Sequence, residues 1–379
     1  MTTARVQGER PAGVSPLTAR LARAGIDTGL PHRLLRRAVM ALAKTPAATA
    51  VAPSPLPGFL APLAQALAPR FAAHDQAAVA AANRYRSAFW LSYALSAVAV
   101  LLAVLPLSVP AHHALHEPVA VAAGVTEFVL ILAIIALYRR GNSRGWRDRW
   151  VRERAVAEQL RYLPLLAPFA AQRPDGDDNW YLRLLGPQDG LPHDAAAVSQ
   201  EGLADVAAQC RSLQSLPAWR ELFRALDDAG RRGAYAGFVA QELQRQAAYH
   251  DGVAAREAAF AHRVHRLGTG LFMLTAAAVG LHLVVHLPVL VLLATGLPAL
   301  ASALHGILAH GESRRLAAGS RRQARALRAL QRELDALRAA EPLPDAIRLA
   351  PVVLRAVQLL LDEHLDWREL VLHHDLPLP

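Results

Sequence analysis

Cys210 is the only cysteine in this 379-residue chain, so no intrachain disulfide can form and no Cys/His zinc pattern is available. Lysine is equally scarce: apart from Lys44, the fixed cationic charge is carried by arginine. Enzyme signatures are missing too. There is no P-loop, HExxH, GxSxG or dinucleotide-type glycine motif, and no obvious acid/base pair, so neither enzymatic activity nor a cofactor is expected. No apolar run follows the first basic residues, which argues against a secretory signal peptide.

The most telling scarcity is of charge, and it is local. Residues 87–107 contain no Asp, Glu, Lys or Arg, and residues 118–138 contain one acid, Glu127. Residues 268–309 form a run of 42 positions without any of the four. A helix rises about 1.5 Å per residue, so about 20 apolar residues cross a hydrocarbon core of roughly 30 Å. The long run is twice what one crossing needs. Pro288 supplies the break, because proline removes a helix donor and clashes with the preceding turn. Four spans follow: residues 87–107, 118–138, 268–287 and 288–309. A soluble core helix would show a polar face, and Val98 to Leu105 shows none.

Arginine placement sets the expected orientation. Arg84 and Arg86 precede the first span, and Arg139, Arg140, Arg144, Arg147 and Arg149 follow the second. Arg263 and Arg266 precede the third, and Arg314, Arg315, Arg321 and Arg322 follow the fourth. The loop 108–117 and the turn near His286 carry no Arg or Lys. Both termini and the middle of the chain are therefore expected in the cytoplasm, and the dominance of Ala, Arg, Leu and Pro, which suggests a GC-rich bacterial genome, makes the membrane a bacterial inner one. The expected fold is an all-α membrane protein with four transmembrane helices in two hairpins and long cytoplasmic helical extensions.

The chain divides into five parts. Residues 1–57 form a basic arm, in which 31–45 are readable either as an amphipathic surface helix or as part of a disordered arm. Residues 58–164 form a first two-span unit, with a cytoplasmic helix running from the second span to Pro164. Residues 165–232 are a linker region, 233–341 a second two-span unit with a helical hairpin, and 342–379 a C-terminal amphipathic helix.

Few residues stand out as sites. Glu127 lies near the middle of span two, where a carboxylate costs several kcal/mol unless paired, wetted or protonated. It is either a pore-lining or gating group or a protonated acid bonded to Ser92, Tyr93 or Ser96. Trp146, Trp150, Arg154 and Glu158 follow at four-residue intervals and form one helical stripe, with Arg154 and Glu158 placed to pair. With Arg161 they suit either helix packing or docking of a partner or phosphate. Gln246, Tyr249 and His250 suit a polar contact within the helical hairpin or a ligand site. His112 and His116, with Glu117 adjacent, offer too few firm ligands for a metal site.

The net charge of +10 admits nucleic acid or anionic lipid as partner. The arginines crowd beside the spans, so the bilayer is the expected partner and nucleic acid is not.

Several stretches resemble a known family. They are Ala82, Asn83, Arg84, Tyr85 and Arg86 before span one; Trp146, Trp150, Arg154, Ala157, Glu158 and Arg161 after span two; Gln246, Tyr249 and His250 before span three; and Asp362, Asp366, Trp367 and Arg368 near the end. In this order around four spans, they resemble the SLATT family, the SMODS- and SLOG-associating two-transmembrane effectors of bacterial conflict systems, in the form with two units. The resemblance covers roughly residues 70–375. It implies an antiviral membrane effector that oligomerises and permeabilises the bilayer on a nucleotide-linked signal. It also implies a SLOG-type sensor or a nucleotidyltransferase system as partner, and adds Asp366 and Trp367 as docking candidates. The chain departs from fused forms, because residues 1–70 are too short for a SLOG domain. The alternative function is a membrane scaffold that recruits cytoplasmic partners without forming a pore.

Overall fold

The computed structural model describes residues 29–40, 55–110, 112–171, 180, 193–222, 224–310, 313–340, 342 and 344–372. Most of the N-terminal arm and of the stretch 172–192 lies outside them. Among the described residues every regular element is helical. The helices are α1 (Leu30–Met40), α2 (Ala61–Val104), α3 (His116–Ser143), α4 (Trp146–Ala170), α5 (His193–Gln214), α6 (Pro217–Leu222), α7 (Ala229–His282), α8 (Pro288–His310), α9 (Ser313–Arg338) and α10 (Ala346–Leu372).

The chain is an all-α, multi-pass membrane protein. Four helical stretches are long and apolar enough to cross a bilayer: the C-terminal half of α2, all of α3, the C-terminal part of α7, and α8. They form two hairpins, α2/α3 and α7/α8. Within the apolar layer α3 packs on α2, α2 on α8, and α8 on α7, while α3 has no comparable packing on α7 or α8. The spans therefore stand in an open row with α3 at one edge. Helix α3 buries only Ala123, Ile134 and Gly141, and Val121, Val125, Phe128, Val129 and Leu132 are exposed along it. An apolar surface of this extent is stable only against lipid tails or another apolar face.

Close approach holds the middle of the row together. A Cβ added at Gly306 of α8 would overlap the Tyr93 ring of α2, and one at Gly268 of α7 would overlap His305 of α8. With little hydrophobic drive between helices in lipid, such contacts supply the packing.

Beyond the apolar layer the helices continue into a polar domain with its own core. Helix α7 runs 54 residues, about 81 Å, without a break. Helix α9 lies along its polar half, and α10 returns against α9 and α4. Leu63 and Leu67 of α2, Leu160 to Ala170 of α4, Leu213 of α5, Tyr235 and Leu243 of α7, Leu327 of α9 and Leu349 to Leu361 of α10 share one hydrophobic cluster. Cys210 is buried in it, and that burial pushes its thiol up to about 12, so it stays protonated and inert.

Three expectations need correction. The helix after span two does not continue from the membrane, because the chain breaks at Gly145, which takes the left-handed conformation (φ 52°). Glycine has no Cβ penalty there, so α3 stops and α4 restarts at a new angle. Nor does α4 end at Pro164: it runs to Ala170 with Pro164 and Pro168 inside. Their buried apolar neighbours, Leu163, Leu165, Leu166 and Phe169, offset the lost helix bonds. The helical part of the third span ends at His282, and residues 283–287 make the turn.

Helix α1 settles the reading of residues 31–45 as far as Met40. It docks across α2 and α7 where they leave the apolar layer. Leu35, Val39 and Met40 pack on the cluster of Phe89, Trp90 and Phe260. Arg36 pairs with Glu257 at 2.6 Å and lies 4.7 Å from the centre of the Phe260 ring. His32 sits beside Ser87 at 3.4 Å. Burial first, then Arg86, Arg33 and Arg36, lower its pKa to about 4. An undocked histidine titrates near 6.5. Because the docked value is depressed, the neutral ring contributes to docking above about 6.5, and that contribution is lost as pH falls toward 4. A spin-label or fluorophore pair placed across α1 and α7 should report close approach at pH 7.5 and less of it at pH 5, and His32→Gln should flatten the profile.

Candidate functional site

Two places concentrate polar groups that the fold has to accommodate: the middle of α3 and the interior of the polar domain.

Glu127 is half-buried near the midpoint of α3. It shares a helical face with Ala123, four residues before it, and Ile134, seven after, both buried. That face looks toward α2. Of the three hydroxyls expected as partners, Ser92 donates to the Ala88 carbonyl of its own helix at 2.9 Å. Tyr93 has its ring against Phe89, centroids 5.4 Å apart, and against Gly306 of α8. Ser96 remains.

The polar domain contains a layer of paired charges between its apolar core and the aromatic cluster at the edge of the bilayer. Helix α4 supplies the centre. Its stripe begins with Trp146, packed with Trp90 and Phe260, and Trp150, packed on Ala78, Ala81 and Ala82 of α2. The Arg86 guanidinium lies 4.7 Å from the centre of the Trp150 ring, a cation–π contact. One turn on, Arg154 reaches Asp75 of α2 at 2.7 Å and Glu158 at 2.5 Å. Arg161 closes on the other oxygen of Glu158 at 2.9 Å. The Glu158 side chain is 2% exposed, a position that an ionised carboxylate tolerates only with such partners. Burial works against the Arg161 cation, but Glu158 and the Tyr162 hydroxyl outweigh it and hold its pKa above the ordinary value. Burial, reinforced by Glu158, raises the Tyr162 phenol, so it stays neutral beside Arg161.

Helix α7 adds Glu242, which accepts from Arg245 at 2.5 Å and from Gln246 at 2.8 Å. On the opposite side His74 of α2 joins Glu153 of α4 at 2.8 Å and Asp205 of α5 at 2.9 Å. Both ring nitrogens face carboxylates.

The structure thus brings Arg154, Glu158 and Arg161 together as one network, with Trp146 and Trp150 anchoring the same helix. Gln246 bonds within its own helix. His250 is buried and stacks edge-on against Tyr249, centroids 5.2 Å apart, while Tyr249 is exposed. Asp366 and Trp367 lie in the last turns of α10, and their side chains lie outside the described residues. The sequence reading missed His74, Asp75, Glu153, Asp205 and Glu242. Asp75, Glu158 and Glu242 each sit against an arginine and His74 bridges Glu153 and Asp205, so the layer ties α2, α4 and α5 in register beside α7.

In the outer loop His116 places Nδ1 2.9 Å from the Val109 carbonyl, and His113 Nδ1 accepts from the Leu115 amide at 3.2 Å. Among the described residues no group of three or more His, Cys, Asp or Glu is arranged to hold a metal ion.

No family model matches this chain, and neither a curated protein nor a solved structure matches it.

Proposed function

We propose that this chain is a membrane effector that self-associates through the exposed edge of its row of spans and permeabilises the bilayer when its polar domain is engaged. The observation that carries this reading is Glu127 at mid-height of α3, the least buried span. A carboxylate at that depth is costly unless it is wetted or paired. Glu127 lies on the α3 face toward α2, opposite the exposed Val125 and Leu132, so copies that gather along α3 expose it to a shared aqueous path when engagement of the polar domain parts α3 from α2, and acidic groups along such a path select cations. The open row and the resemblance of the flanking segments to SLATT effectors support the same reading. The basic flanks of all four spans support a cytoplasmic polar domain, and a bacterial inner membrane is the proposed location.

The polar domain is joined to the spans by continuous helix in α2 and α7, so a partner docking there acts on the spans directly. A SLOG-type sensor or a nucleotidyltransferase system encoded nearby is the proposed source of the signal.

Reconstitution in liposomes tests the proposal. The purified chain should release a trapped cation, and Glu127→Gln should lower the cation flux by about tenfold, the scale of losing about 1.4 kcal/mol of charge stabilisation. If toxic expression leaves the membrane potential intact, permeabilisation is wrong and the scaffold reading takes its place.

A further inference from the structure

Arginines beside the spans find phosphates in the lipid headgroups. Helix α9 also carries arginines that lie farther away. At 100° per residue, Arg314, Arg321, Arg325, Arg328 and Arg332 fall within about 60° of one another and form one stripe. All five are exposed. Their neighbours fix which side of the helix this is. Helix α10 covers the flank marked by Gln323, which donates to the Leu359 carbonyl at 2.6 Å, and by Glu333, paired with Arg355. The core face of α9 is marked by Ala317, Ala324, Leu327 and Leu334. The stripe lies on the remaining side, beside Asp251 of α7, which pairs with Arg328. By the same helical arithmetic His262 and His265 of α7, both exposed, fall within about 40° of Asp251 and face the same way.

The stripe is about 27 Å long. Helix α9 packs along the polar half of α7, which is continuous with a span, so it leads away from the bilayer. Relative to Arg314, Arg325 stands about 17 Å and Arg332 about 27 Å farther out. The surface potential of a membrane fades within a Debye length, about 8 Å at physiological salt. Lipid phosphates therefore account for the start of the stripe but not for its outer part. Among the described residues, Asp251 is the acid that answers it. The side chains between the arginines are small, such as Ala318 on α9 and Ala255 and Ala258 on α7. A protein partner of useful affinity needs buried aromatic or aliphatic anchors, and this face supplies none. A chain of phosphodiesters needs only the cations.

We infer that the Arg314–Arg332 stripe of α9 is a binding surface for the phosphodiester backbone of a nucleic acid strand, read by charge and not by base. The inference goes beyond permeabilisation and does not depend on it, because binding is measurable on protein that conducts nothing.

The test uses the full chain in an uncharged detergent and a labelled single-stranded oligonucleotide of about 12 nucleotides, a length within the usual site sizes. Four arginines with no acid partner among the described residues predict an affinity loss of about fifty-fold between about 50 and 200 mM salt. The triple variant Arg321→Gln/Arg325→Gln/Arg332→Gln should lose about tenfold or more in affinity near 0.15 M salt and should flatten the salt slope by about 2. All three side chains are exposed, and an unchanged helical circular dichroism signal confirms that the variant is folded. Arg139→Gln/Arg140→Gln, at the bilayer edge, should retain the binding. The inference is overturned by absence of oligonucleotide binding, by wild-type affinity in the triple variant, or by polyglutamate of equal charge competing as well as the oligonucleotide.

Discussion

Tyr235→Ala is expected to be the most damaging single truncation in the polar domain, costing about 4–5 kcal/mol. Tyr235 is fully buried and touches Phe59 and Phe169 with its ring, centroids 6.5 and 5.8 Å away. Its hydroxyl donates to the Leu165 carbonyl at 2.6 Å. Alanine removes the ring, opens a cavity that the surrounding helices cannot fully close, and leaves the α4 carbonyl without that donor. Tyr235→Phe separates the contributions, because it keeps the packing and loses only the hydrogen bond, about 1 kcal/mol. Thermal unfolding in detergent, followed by tryptophan emission from Trp180 and Trp219, measures both. Those two indoles stack 5.4 Å apart near the same core. Equal effects of the two variants would show that the ring is not part of the packing.

Glu158→Ala is expected to cost about 3 kcal/mol, by leaving two guanidiniums short of their shared acceptor in the interior. Arg154 retains Asp75, and Arg161 is 34% exposed, so the loss falls at the lower end of the range for a broken buried pair. Glu158→Gln should recover part of it by hydrogen bonding. An exposed pair makes the contrast: Asp251→Ala, which frees Arg328, should change stability by less than about 1 kcal/mol. If both substitutions prove neutral, the charge layer is not a stabilising feature of the domain.

The legible parts of this fold are those encoded by local pattern. Residues 268–309 announce themselves because a charge-free run of that length has few uses outside lipid, and Pro288 marks where α8 begins. The bounds of α10 at Ala346 and Leu372 follow from the prolines before it and its amphipathic period. The pairing of Arg154 with Glu158 is a matter of helical spacing. Where the sequence misleads, long-range packing has overridden a local rule. Pro164 would end an isolated helix, but Leu163 and Leu166, both fully buried, keep α4 going.

The candidate site was half legible for the same reason. Asp75 is 79 positions from Arg154, and Asp205 is 131 from His74. Neither spacing carries a periodic signal, so these partners emerge only once α2, α4 and α5 are packed. The arginine stripe of α9 has the period of a helix, yet sequence alone could not say which flank α10 would cover. Glu127 was visible as an isolated acid in an apolar run. That the Tyr93 ring packs against Gly306 of α8 was not.

The unbroken length of α7 has a mechanical consequence. Sharp bends in helices arise at proline and a few similar interruptions, and no proline occurs between Ala229 and His282. The element therefore acts as a crankshaft. A displacement near Tyr235 or Gln246 is carried toward the spans within one helix, and Gly268 and Gly270 are its softest positions before the turn at residues 283–287. Whatever grips the far end of this shaft has a handle on the opposite face of the bilayer.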